Sequence, residues 1–245
     1  NAGQGTADLN VGELTGTLST YGLASHVIAD TAVLNLGEQC LTGDPTYYNS
    51  GNINISGNIT VGEKLAVIAS GNITNSGAGG YSITARNAGV GQDITMIAGA
   101  AFTTASAGAG TATLTGAPPA GAVPGGGTVT VTGGSAAGGS ITLTTGAGVS
   151  LIDASGTTGA GGNVTLLAFA DATGATGGTI ALPTASNIRT DAASGFANGN
   201  ITLGAGRTGG AAGNSIQAGS LTAFGAGTTG GSINVAVGQP TVVGG

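Results

Sequence analysis

Ten carboxylates are spread over 245 residues, and their spacing decides what chemistry the chain can support. Asp93, Asp153, Asp171 and Asp191 each lack an acidic neighbour within three positions. Cleaving a glycosidic bond takes two carboxyl groups roughly 5–9.5 Å apart, one an acid and the other a base or nucleophile. Such a pair can form here only if the chain stacks on itself. Asp153, Asp171 and Asp191 are 18 and 20 residues apart, so coils of about 20 residues would bring them onto one edge. The simpler expectation is that each Asp closes a turn by bonding to nearby backbone. A calcium column needs a Gly-Gly-x-Gly-x-Asp repeat, which does not occur. His26 is the only histidine and Cys40 the only cysteine, so no usual metal-ligand set and no internal disulfide can be assembled. Cys40 has two readings: a small buried hydrophobe, or a thiol that pairs between molecules. Gly-x-Gly runs are frequent, but none precedes a helix or carries the Lys-Ser/Thr pair of a phosphate loop. The expectation is no catalytic residue, no cofactor and no metal.

Charge removes further classes. The net charge is −6, and the only basic residues are Lys64, Arg86, Arg189 and Arg207. They make no footprint for nucleic acid or for an anionic membrane surface. No apolar run is long enough for a membrane span. The start, Asn1-Ala2-Gly3-Gln4, has no initiator Met and no signal-peptide pattern, which reads as a processed end. The chain contains 52 Gly and is 40% apolar but only 6% charged. Its mean hydropathy of +0.33 argues against disorder, and the absence of a three-residue Gly period argues against collagen. Many short strands joined by tight turns remain.

One phrase recurs: Gly, a small polar residue, Ile or Val, Thr or Asn, then another apolar residue. It appears as Gly51-Asn52-Ile53-Asn54-Ile55, Gly57-Asn58-Ile59-Thr60-Val61 and Gly71-Asn72-Ile73-Thr74. It returns at Gly127-Thr128-Val129-Thr130-Val131, Gly139-Ser140-Ile141-Thr142-Leu143, Gly162-Asn163-Val164-Thr165-Leu166, Gly178-Thr179-Ile180-Ala181-Leu182, Gly199-Asn200-Ile201-Thr202-Leu203 and Gly231-Ser232-Ile233-Asn234-Val235. Looser copies are Ser82-Ile83-Thr84 and Asp93-Ile94-Thr95-Met96. The internal period is two, so apolar residues face one way and Thr or Asn the other. Such a strand buries its apolar face by stacking on the next copy.

The predicted fold is all-β: a right-handed parallel β-solenoid with an atypical N-terminal cap or joining region. Thr60, Thr74, Thr84, Thr95, Thr130, Thr142, Thr165 and Thr202 are predicted to line up outside it. The copies are unevenly spaced, so some belong to different faces of a coil, with further strands at Val149–Ile152, Ile188–Thr190 and Leu221–Phe224. About nine coils between Ile53 and Ile233, at ~4.8 Å each, predict a rod about 40–45 Å long. The Gly-rich connectors suit the corners. Thr103 to Gly127, with Pro118, Pro119 and Pro124, is expected to be a loop or imperfect coil, or else an exposed binding loop. Residues 1–50 form the cap or subunit-joining segment, 51–238 the repeats and 239–245 a tail. The Asn-x-Ser/Thr sequons at Asn54, Asn58, Asn72, Asn163 and Asn200 read as by-products of the repeat.

The Gly-Asn-Ile-Thr-Leu phrases, with Ala69-Ser70-Gly71 and Ala154-Ser155-Gly156, resemble filamentous-haemagglutinin-like β-helical repeats of bacterial surface proteins and autotransporter passengers. The resemblance covers roughly Gly51 to Gly238. It implies a parallel β-helix, export, and adhesion or surface structure. The Asn-Pro-Asn-type signature of that family's secretion domains is absent.

The leading expectation is an extracellular or cell-surface structural protein, bacterial in origin and not an enzyme. It would be a subunit of a surface filament or adhesin rod that self-associates into a homopolymer through β-strand edges. Host or surface glycans and other cells are further partners; nucleic acid is not. One alternative is an ice-binding β-helix, on the Thr pairs Thr113/Thr115, Thr130/Thr132 and Thr142/Thr144. A second is a polysaccharide-active β-helix enzyme, against which the scarcity of aromatic platforms for sugars argues.

Overall fold

The computed structural model describes residues 6–11, 17–22, 24–29, 31–43, 45–104, 112–114, 122–123, 129–208 and 215–238. Among them every regular element is a β-strand, and most strands are stacked in two large sheets that are almost wholly parallel. The topology is consistent with a β-solenoid. Each passage of the chain adds a strand to a first sheet, then to a second sheet that has two branches.

The first sheet has eight strands: Thr6–Val11, Ala24–Ala29, Thr46–Asn49, Leu65–Ala69, Ile94–Ala98, Val164–Ala168, Ile201–Ala205 and Ile233–Val237. Strand Val33–Leu41 joins the two branches of the second. Its first half pairs with Asn52–Ile55 and its second half with Ile59–Val61. From there one branch continues through Ile73–Asn75, Ile141–Thr142, Ile180–Ala181 and Ile216–Gln217. The other continues through Tyr81–Asn87, Val149–Asp153, Asn187–Arg189 and Ser220–Thr222. The additional strands expected near Val149, Ile188 and Leu221 thus share one ladder. Strands from residues 6–49 enter the same sheets as the later ones.

Registry stacks like on like. Tyr47, Val67, Met96, Leu166 and Leu203 form one inward column. Leu34, Ile53, Ile73, Ile141 and Ile180 form a second. Ile59, Ile83, Ile152 and Ile188 form a third. All belong to one buried core. Gln39 occupies the position of Ile59 one rung earlier. Its buried amide is used: Tyr47 OH donates to Gln39 Oε1 across the interior at 2.8 Å.

The period-two expectation holds on the second sheet, where Ile59–Val61 and Ile73–Asn75 alternate in burial. It fails on the first. Leu65–Ala69 and Ile94–Ala98 are buried at every position. Tyr48, Ile68, Ile97 and Leu167 make an outward row in register and are nonetheless fully buried. Strands buried on both faces read as continuous apolar runs.

The coil count is also corrected. Rungs repeat every 18 to 20 residues as far as Ala66, but Leu65 to Ile94 takes 29, Ile94 to Val164 takes 70, Val164 to Ile201 takes 37, and Ile201 to Ile233 takes 32. Six first-sheet strands therefore run from the Thr46–Asn49 rung to Ile233–Val237, not about nine. All eight strands at ~4.8 Å give a stack of about 34 Å. The largest interval holds an insertion with its own four-stranded sheet: Ala100–Thr104, Val129–Gly134, Ala112–Leu114 and Ala122–Val123. The phrase containing Val129 belongs there and to neither ladder. Pro118, Pro119 and Pro124 lie outside the described residues. The insertion is rooted at Gly99, whose φ of +68° suits glycine. A Cβ there would collide with the backbone of Gly138 and Gly139.

Candidate functional site

The small polar residue that opens each repeat phrase, after a Gly in most copies, forms a hydrogen-bonded column. On the first sheet it is Asp93, Asn163, Asn200 and Ser232. Asn163 donates its amide N (2.9 Å) and Nδ2 (3.0 Å) to Asp93 Oδ1. Asn200 does the same to Asn163 Oδ1, at 2.9 and 3.1 Å. Ser232 donates its amide and Oγ to Asn200 Oδ1, at 2.8 and 3.0 Å. A second column, Asn52, Asn72, Ser140 and Thr179, is built the same way. These side chains supply acceptors to backbone amides at the corners, where the ladder gives none.

Beside the first column runs a second made of Thr95, Thr165, Thr202 and Asn234. The two columns line a groove of about 310 Å³ on the outer surface of the first sheet. Its walls are amides and hydroxyls. Its one charged lining group, Asp93, pairs with Lys64 at 3.5 Å. Thr95 sits deepest, 7% exposed. Among the described residues the hydroxyls of Thr95, Thr165 and Thr202 have no protein hydrogen-bond partner.

The eight predicted Thr residues do not form one array. Thr95, Thr165 and Thr202 share the groove column. Thr74 and Thr142 are register partners on the first branch of the second sheet. Thr60 and Thr84 are partners on its other branch, in a column with Cys40 before them and Asp153 after. Thr130 lies in the insertion, paired with Thr103 and Thr113; its side chain is outside the described residues. The Thr pair Thr130/Thr132 is in the insertion too, and Thr115 lies outside the described residues. Cys40 is exposed, not a buried hydrophobe, because its position in the strand points away from the core.

Asp171 does not share an edge with Asp153 and Asp191. Those two sit on neighbouring rungs of one branch of the second sheet, where Asp153 is the register partner of Arg189. Asp153 and Arg86 pair at 2.8 Å, and Arg86 also bonds Ser155. Burial alone would raise the Asp153 carboxyl. The Ser155 hydroxyl and amide and the Arg86 charge outweigh it and hold the carboxyl below its ordinary value. Asp191 pairs with Arg189 at 2.9 Å. Asp171 lies after the first sheet and accepts from the Thr173 hydroxyl and the Ala175 and Thr176 amides. These bonds, Thr173 foremost, hold its carboxyl at about 2. Asp171 thus serves a turn, and the other two serve ion pairs along the stack. Burial pushes the Tyr48 phenol up.

Among the described residues no three His, Cys, Asp or Glu side chains come together as a metal site. Among them, too, no helix is long and apolar enough to cross a membrane. No family model, no curated protein and no solved structure matches the chain.

Proposed function

We propose that the chain is a right-handed parallel β-solenoid exported to the cell surface or beyond, where it is a subunit of a surface filament or adhesin rod and not an enzyme. The observation that carries this reading is strand Ile233–Val237. Ile233, Val235 and Val237 are 45, 54 and 58% exposed, whereas their register partners Ile201, Leu203 and Ala205 are at most 1% exposed. Among the described residues the strand ends its sheet and carries the core columns to that edge, with Phe224 exposed nearby in the chain. Such an edge is a template for another strand. A second copy offers one at Thr6–Val11, the opposite edge of the same sheet. A head-to-tail contact of this kind repeats without closing, which builds a filament. The exposed Cys40 thiol is then available to cross-link neighbours. The stacked Gly-Asn-Ile-Thr phrases support the resemblance to filamentous-haemagglutinin-like surface proteins. The ion-paired and turn-bound carboxylates support a non-catalytic reading.

Electron microscopy and light scattering over a concentration series test this. Rods that lengthen with concentration are expected. Val235→Lys, which places a charge on that edge, should stop growth while leaving the circular dichroism unchanged. Dispersed monomers at every concentration would overturn the proposal.

A further inference from the structure

We propose that the groove on the first sheet binds a strand of neutral, hydroxyl-rich polysaccharide; this deepens the adhesin reading and rests on it. Thr95 carries the inference. The residue is 7% exposed and lines the groove, and its hydroxyl has no protein partner among the described residues. A hydroxyl that opens on the groove without a protein partner takes its hydrogen bonds from whatever occupies the groove. Thr165 and Thr202 repeat the arrangement on the next two rungs, at a spacing of ~4.8 Å that is similar to one sugar ring along an extended chain.

The lining selects the ligand class. Asp93 is already paired with Lys64, and the other lining groups are neutral amides and hydroxyls. A sulfated or phosphorylated polymer would meet no free cation there and a chain of net charge −6. A cationic polymer would have to compete with Lys64 for one carboxylate. A peptide strand would pair with a sheet edge, whereas this groove runs across a sheet face. An apolar ligand would leave every lining group unpaired. A neutral chain of hydroxyls can exchange bonds with the Thr column and with the Asn234 amide at its end. With no aromatic platform in the lining, single-site affinity should be roughly millimolar. Multiplication along a filament would turn weak sites into firm attachment.

Titration of the isotopically labelled full chain with neutral oligosaccharides (β-glucan, α-glucan, mannan and galactan hexamers) tests this, with sulfated dextran oligomers and polylysine as charged controls. Saturable binding of at least one neutral probe is expected, with shifts at Thr165 and Thr202. The double variant Thr165→Val/Thr202→Val keeps β-branching and leaves no protein group unpaired. It should weaken binding roughly tenfold with the melting temperature unchanged. Thr202→Ser should retain binding, and Thr60→Val/Thr84→Val on the second sheet should bind as the parent does. No binding of any neutral probe, preference for a charged one, or full binding by the double variant would overturn the proposal. Binding is read on dispersed protein, so its failure is separate from a failure to form rods.

Discussion

The Asx column makes a prediction about charge that composition alone would not. Asn163 lies against Asp93, with Nδ2 donating at 3.0 Å to Oδ1. Asn163→Asp replaces that donor by a second carboxylate. The lost hydrogen bond is worth about 1 kcal/mol. Two like charges about 4 Å apart cost about 1 kcal/mol in water and about 4 kcal/mol at a protein surface. The Asp93 side chain is 29% exposed and Lys64 pairs with it, so solvent and counter-charge screen the repulsion. A total of about 2–3 kcal/mol at pH 7 follows from these terms. The control is Asn200→Asp. It keeps its acceptor role toward Ser232 and loses its Nδ2 bond to Asn163, but it has no carboxylate partner. It should cost only about 1 kcal/mol.

The pH dependence separates the two. In Asn163→Asp, the folded state makes one carboxyl of the pair harder to ionise than in the unfolded chain. Its deficit is therefore complete above the raised folded value and disappears as pH falls toward the ordinary carboxylate range. Asn200→Asp lacks this relief. Chemical denaturation at pH 7 and pH 4 measures both, and Asp93→Asn/Asn163→Asp should recover the charge term at pH 7. Equal stability of the two single variants at pH 7, with parallel pH profiles, would refute the ladder.

Other outcomes follow from the same geometry. The Asp171 carboxyl should titrate by NMR at about 2. Because that value is depressed, its contribution to stability is present above the ordinary Asp range and is lost as pH falls through about 2; Thr173→Val should move the midpoint upward. Arg86→Ala leaves a buried carboxylate at Asp153, and because the Arg86 side chain is 26% exposed the cost should be about 2–3 kcal/mol rather than the fully buried maximum. Arg86→Ala/Asp153→Asn should recover part of this in denaturant melts. Gly99→Ala forces a side chain into a positive φ against the insertion's root, at a cost of about 2 kcal/mol, with loss of hydrogen-exchange protection first in residues 100–104 and 129–134.

The stacking of the repeat was legible because each copy carries its own inward residue, and registry joins Ile53 to Ile73 and Val164 to Ile201. Which copies share a ladder was not legible, because the same five-residue phrase opens strands on both sheets. Val129 shows the limit further: its phrase has the local β-preference, but register is set by neighbours, and there the neighbours are the insertion's own strands. The Asx columns are carried by the polar residue just before each first apolar position, two positions ahead of the Thr, so their composition is visible in the sequence although their bonding is not. The groove could not be read at all, since it depends on Thr95, Thr165 and Thr202 standing beside Asn163 and Asn200 across 70- and 37-residue intervals.

Those intervals have a physical cause. Once the inward columns and the Asx acceptors fix each rung, the chain between rungs is free to lengthen at a corner. Doubling a flexible loop costs only ~0.6 kcal/mol in closure entropy, less than a single buried Ile contributes to a column. Long excursions such as the one rooted at Gly99 are therefore tolerated without disturbing the stack. Corners and short strands here draw on the same Gly, Ala and Thr, so composition does not mark where one gives way to the other. The period disappears from the sequence although it is kept in space, and with it any sequence-level view of a surface that, like the groove, is assembled from one residue per rung.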